Sequence, residues 1–176
     1  MSRNQTFLNA DGLTIGFGTH SADNDIVAVN AEGNTKIYQV EITGVDLVDT
    51  FALTDIKPQD TRIPRGSIIK SASLQVITAF TSAGAPTLDL GLFGTAVVDD
   101  ADGIDAAIAL AAIDAVGEIV ICNGALVGGT VPVGATADTD VFIAPSRNVT
   151  TYTAGVAILK VEVVLPDGSS GGSLAA

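Results

Sequence analysis

The chain predicts an all-β fold, a jelly-roll-like antiparallel β-sandwich with one short helix and an extended N-terminal arm. Three observations carry that expectation. Residues Ile63 to Phe93 read as two strands that alternate apolar and polar side chains, joined by a turn. Glycine supplies 19 of 176 residues and aromatics only 5%, so small and β-branched residues dominate, which suits many short strands closed by tight turns. Helical periodicity is confined to one stretch, which disfavours alternating βα units and a parallel sheet.

Taken in order, residues 1–34 are rich in Gly, Asn and Asp, with isolated apolar anchors at Phe7, Leu8, Leu13, Ile15 and Phe17. Asn9-Ala-Asp11-Gly12 is turn-like, and Leu13 to Phe17 alternates as a short strand would. Such a segment is either an edge strand or an arm lying on a neighbour, and the arm is preferred. From Lys36 to Thr43, Tyr38, Val40 and Ile42 share one side, and Gly44 closes the strand. Val45 to Thr54 is a less regular apolar run.

Pro64 and Gly66 supply a turn at the entrance to the organising pair. In its first strand Ile68, Ala72, Leu74, Val76 and Phe80 share the inward parity. Lys70 and Thr78 break that set, and Ile69 and Ile77 break the polar one. Leu88, Leu90 and Leu92 point inward from the second strand, after the turn at 81–86.

The expected helix lies at 103–115, where Ile104, Ile108 and Ala112 fall at helical spacing among alanines. Asp99, Asp100 and Asp102 precede it as capping carboxylates, and Gly117 follows as a stop. Strands are expected at 118–122, 139–144 and 156–165, and residues 166–176 read as a flexible tail. The division is therefore 1–34 arm or edge strand, 35–165 sandwich, and 166–176 tail.

Charge and composition remove several functions. Eight basic against twenty acidic residues give a net charge of −12, and no Lys or Arg stands between Lys70 and Arg147. A surface of that sign repels phosphate backbones, so no nucleic-acid partner is expected. The bland reading of the acidic span is solubility. The sharper one is that it faces solvent on an assembly while the less acidic remainder makes contacts.

No segment is long and apolar enough to span a membrane, and the N-terminus lacks the apolar core of a signal peptide, so synthesis in a cytoplasm is expected. A single cysteine, Cys122, cannot form an intramolecular disulfide, and within a strand-like run it reads as a small hydrophobe.

No catalytic constellation emerges, and no cofactor is expected. His20 is the only histidine and lies far from any G-x-S-x-G elbow. Gly16-Phe-Gly18 lacks the third glycine of a dinucleotide fingerprint, and one Cys with one His cannot build a zinc site. Asp100-x-Asp102-Gly103 resembles a fragment of a calcium loop without its remaining ligands, and helix capping accounts for it more simply. Paired carboxylates for glycoside hydrolysis would lack the aromatic platforms of a sugar cleft, with two Tyr and no Trp.

Two stretches are familiar together: Asn9-Ala-Asp-Gly-Leu-Thr-Ile-Gly-Phe-Gly-Thr19, and Ile63-Pro-Arg-Gly-Ser-Ile-Ile-Lys-Ser-Ala-Ser-Leu-Gln-Val76, the latter followed by Thr78-Ala-Phe80 and Pro86-Thr-Leu-Asp-Leu-Gly-Leu92. With the closing strand, the chain resembles small virion structural proteins of tailed bacteriophages, of the type that decorate or cement the head shell, over about two-thirds of its length. The N-terminal motif is the more distinctive half, the central one being shared with other sandwiches that expose a Gly-rich turn.

The resemblance implies a non-enzymatic jelly-roll protein, trimeric, bound to the outside of the capsid, with the major capsid protein shell as partner. It places shell or neighbour contacts on residues 7–18, named here as Phe7, Leu8, Asn9, Asp11, Leu13, Ile15 and Phe17. The alternative within the same particle is a fibre or receptor-binding component that touches host glycans through loops 81–86, 94–103 and 124–136. A rival from another class is a calcium-dependent or hydrolytic enzyme hidden among the aspartates.

Overall fold

A computed structural model describes residues 5–8, 14–17, 31–32, 35–49, 62–94, 98–136, 139–148 and 150–166. Eleven strands are defined among them: β1 (Gln5–Leu8), β2 (Thr14–Phe17), β3 (Ala31–Glu32), β4 (Thr35–Thr43), β5 (Arg62–Ile63), β6 (Ile68–Thr81), β7 (Thr87–Phe93), β8 (Val98–Ala109), β9 (Ile119–Ile121), β10 (Val141–Asn148) and β11 (Ala154–Val164). β1 and β2 form a two-stranded sheet of their own, with Phe7 opposite Ile15.

The rest is a sandwich of a five-stranded sheet, ordered β3-β4-β11-β6-β9, and a four-stranded sheet, ordered β5-β10-β7-β8, with every strand pair antiparallel. That order is a jelly roll. Strands β4 to β11 pair first with last (β4 with β11), second with seventh (β5 with β10), third with sixth (β6 with β9), and the middle two with each other (β7 with β8). A long antiparallel ribbon rolled over itself then gains two further pairings, β11 with β6 and β10 with β7, and becomes two facing sheets.

The facing surfaces hold the core: Tyr38 and Ile42 from β4, Leu74, Val76 and Phe80 from β6, Leu88, Leu90 and Leu92 from β7, Val141 and Ile143 from β10, and Ala157, Leu159, Val161 and Val163 from β11. Each set keeps the inward parity expected of a strand with one buried face.

β6 is the spine, and its two prominent pattern breakers mark bulges. Against β11, Ser71 pairs with Glu162 and Ile69 with Val163, so Lys70 is an extra residue and stands exposed. That step moves Ile69, rather than the expected Ile68, fully into the core. Likewise Val76 pairs with Ala157 and Thr78 with Val156, which leaves Ile77 as an extra residue on the surface. The bulges turn a fourteen-residue strand without exposing its apolar face.

The expected helix at 103–115 is not formed. Residues Val98–Ala109 are strand β8, followed by a 3-10 turn at Leu110–Ala112. The spacing of four between Ile104 and Ile108 is even as well as helical, so both point inward from a strand as readily as from a helix face. Repeated register shifts against β7 supply the remaining irregularity, and Ala107 takes a left-handed φ of 52°.

With no helix to cap, the aspartates have other work. Asp99 accepts from the N–H of Gly134 at 2.8 Å and of Thr136 at 2.9 Å, tying the 133–136 loop to β8. Asp89 accepts from the N–H of Ala107 at 2.7 Å, holding the strained residue in place.

In the less regular run that starts at Val45, a 3-10 turn covers Gly44–Asp46 and Val48 bridges to Ser146 of β10, residues 50–54 lying outside the described set. Ile63, ahead of the turn at Pro64 and Gly66, belongs to the short strand β5 and pairs with Val141. The tail from 167 onward and His20 also lie outside the described residues.

Candidate assembly surface

The outer face of the five-stranded sheet is a grid set by register. Across β4, β11 and β6 one row reads Ile37, Glu162, Ser71. The next reads Gln39, Lys160, Ser73 and, on β9, Ile121; the third reads Glu41, Ile158, Gln75 and Ile119. Bulge residues Lys70 and Ile77 join this face.

On β4, β11, β6 and β9 its charges are Lys70 and Lys160 against Glu41 and Glu162, two of each sign. Lys70 Nζ lies 3.0 Å from Glu162 Oε1, and the Ser71 hydroxyl donates to Oε2 at 2.9 Å. These two donors hold the Glu162 carboxyl below its ordinary value. Isoleucines dominate what remains: Ile37 is 37% exposed, Ile77 45%, Ile119 61% and Ile121 72%, with Val116 beside them at 70%.

The other sheet is acidic on two neighbouring strands. Strands β7 and β8 carry five aspartates, Asp89, Asp99, Asp100, Asp102 and Asp105, and no Lys or Arg. Burial, with a smaller contribution from Asp102, raises the Asp100 carboxyl above its ordinary value.

A groove of about 770 Å³ crosses this sheet, floored by Phe93 and Ala144 and rimmed by Asp49, Asp89, Ser146 and Arg147. Its principal charged groups are already engaged. Arg147 pairs with Asp49 and donates from Nε to the carbonyl of Leu47 at 2.9 Å, and Asp89 is held by Ala107. Among the described residues no group of three or more His, Cys, Asp or Glu is arranged to hold a metal ion, and no helix is long and apolar enough to cross a membrane.

Of the residues expected to make shell contacts, Phe7 and Leu8 lie on β1 and Ile15 and Phe17 on β2, while Asn9, Asp11 and Leu13 fall outside the described residues. The structure instead brings forward Ile77, Ile119, Ile121 and Ile158. Their signal was present in the sequence: Ile77 breaks the alternation of β6, and Ile119 and Ile121 share one parity of a strand whose other parity holds Val120 and Cys122. Which parity faced water followed only from the register with Gln75 and Ser73.

Two solved structures resemble the chain. A chain described as the Cyanophage Pam1 capsid asymmetric unit is 20% identical, with a TM-score of 0.45, covering 84% of this chain and 99% of that one. A chain described as the capsid of Ralstonia phage GP4 is 14% identical, with a TM-score of 0.45, covering 84% of this chain and 91% of that one. No protein-family model matches the sequence, and no curated protein does.

Proposed function

We propose that this chain is a non-enzymatic virion structural protein that binds the outside of a tailed-phage head and decorates or cements it. The observation that supports this reading is the segregation of charge and apolar surface between the two sheets. A chain of net charge −12 presents one broad sheet face whose four central and edge strands balance two lysines against two glutamates and carry exposed isoleucine, and places Asp89, Asp99, Asp100 and Asp102 on the neighbouring strands β7 and β8 of the opposite sheet. Exposed aliphatic clusters mark contact surfaces, whereas concentrated like charge keeps a surface solvated. The isoleucine face is the side turned to the shell or to a neighbour, and the aspartate-bearing sheet is the side turned to water.

The jelly roll occurs in viral capsid domains and also in lectins and cupins, so the fold alone does not choose among them. The virion assignment comes from the two sequence stretches that resemble decoration proteins, and the face supplies the physical means. Cementing is mass action: a protein that binds the mature shell better than its dissociated subunits stabilises that shell. A trimer at local threefold positions would multiply the contact by avidity.

The test is to add the protein to bare mature heads of its source phage and follow binding, melting temperature and resistance to pressure release. Saturable binding that raises both stability readouts is expected, with loss of binding on Ile77→Glu and Ile158→Glu. Binding that leaves both readouts unchanged overturns cementing and retains decoration. Absence of binding overturns the proposal.

A further inference from the structure

Among the described residues, the five-stranded sheet ends at β9. Along β9 the even residues serve the interior pairing: Cys122 donates its N–H to the carbonyl of Ala72 at 3.0 Å, and Glu118 accepts from the N–H of Val76 at 2.9 Å. In an antiparallel ladder, bonding alternates residue by residue, so Ile119 and Ile121 direct both their N–H and C=O groups to the open side. Their side chains, 61% and 72% exposed, lie on the outer face. Natural edges are commonly blunted by shortness, lysine, proline or a bulge, and Ile119–Ile121 has only its three-residue length to limit pairing.

Charge selects the occupant. Two copies carrying −12 each repel over most approaches. From Val116 to Cys122 the only charged residue is Glu118, and its carboxylate is turned back onto the N–H of Ala115 at 3.0 Å. On the neighbouring outer face, β4, β11, β6 and β9 carry two lysines and two glutamates, charges able to complement those of a second copy. A basic partner would find its complement on β7 and β8, not here.

We propose that β9 is a self-association seam, pairing antiparallel with β9 of a second copy about a twofold axis at Val120. Ile119 then faces Ile121 of the partner subunit and the reverse, each pair exchanging main-chain hydrogen bonds in both directions, and the contact is isologous. Residues directly opposite across an antiparallel pair point to the same side, so the two isoleucine faces join into one surface. A seam of three residues is short, and small interfaces are weak, so the paired species grows with concentration. This proposal concerns the isolated protein and stands whether or not the virion reading does.

Sedimentation equilibrium of the full chain from about 10 to about 500 µM, a range suited to a weak contact, tests it. The wild type is expected to show a species of twice the basal mass that increases with concentration. The double variant Ile119→Glu, Ile121→Glu and the single variant Ile121→Pro are expected to lack it while keeping the wild-type circular dichroism. No doubling in the wild type, or undiminished doubling in folded variants, overturns the seam. Should a variant misfold, amide exchange of the wild type decides: Ile119 and Ile121 must exchange several-fold more slowly at high concentration, and unchanged rates overturn the proposal.

Discussion

Phe80 sits on the spine strand between two glycines, and the close approach explains both. A Cβ at Gly155 would lie 2.4 Å from the Phe80 ring, and one at Gly44 would lie 3.0 Å from it. Gly155 also has φ +136°, a conformation that L side chains rarely adopt. Tyr152 closes the third side, its ring centroid 5.3 Å from that of Phe80 at an interplanar angle of 82°. Gly155→Ala is expected to cost about 2–4 kcal/mol through clash and backbone strain, read as a lower urea midpoint with unchanged slope.

A second residue-scale feature is the pair of Asp105 and Cys122, 6% and 3% exposed. Burial, with the Asp105 charge and hydrogen bond behind it, pushes the thiol up to about 12. Burial also raises the Asp105 carboxyl above its ordinary 3.8, against the lowering effect of hydrogen bonds from the Ala106 N–H and the Cys122 thiol. An acid raised in the folded state binds its proton more tightly there than when unfolded. Its contribution to stability is therefore complete below the unfolded value and is lost as pH rises through the raised one. The urea midpoint of the wild type should gain on that of Asp105→Asn as pH falls from about 7 towards about 4, and a constant difference would contradict this linkage.

At the scale of elements, legibility followed periodicity. The inward rows of β4, β6, β7 and β11 were readable because one buried face imposes strict alternation. Of the four breakers of β6, Lys70 and Ile77 are bulge residues, visible as such only once β11 supplies a register. β8 was misread because Ile104, Ile108 and Ala112 satisfy a helix and a strand alike, and long-range pairing with β7 decided between them. The edge strand β5, two residues long, offers no period at all.

The reading of Asp99, Asp100 and Asp102 as helix caps falls with the helix: Asp99 instead accepts from the N–H groups of a loop thirty-five and thirty-seven residues away. Asp99→Ala is expected to free that loop at a cost of about 1–3 kcal/mol, with the Gly134 and Thr136 amides exchanging faster while β6 and β11 stay protected. Uniform acceleration across the sandwich would mean that the clamp is not local.

For the whole molecule, the jelly roll turns a sequence asymmetry into a spatial one. The span without basic residues, from Ser71 to Ser146, includes β7 and β8, which lie together in one sheet, whereas β4, β6 and β11 with their balanced charges lie in the other. Composition announced the acidic bias but not its geometry, because the distribution between faces depends on which strands become neighbours. Truncation of residues 1–34 against substitution on the isoleucine face distinguishes the contact proposed near the N-terminus from the one proposed on the sandwich.

Quantitative mass spectrometry of purified particles from its source, counting this chain against the major shell protein, decides whether the protein is a regular component of a phage head. A copy number in a simple lattice ratio to the shell protein is expected. A handful of copies per particle would assign the chain to a tail or fibre, and its absence from the particle would overturn the virion reading.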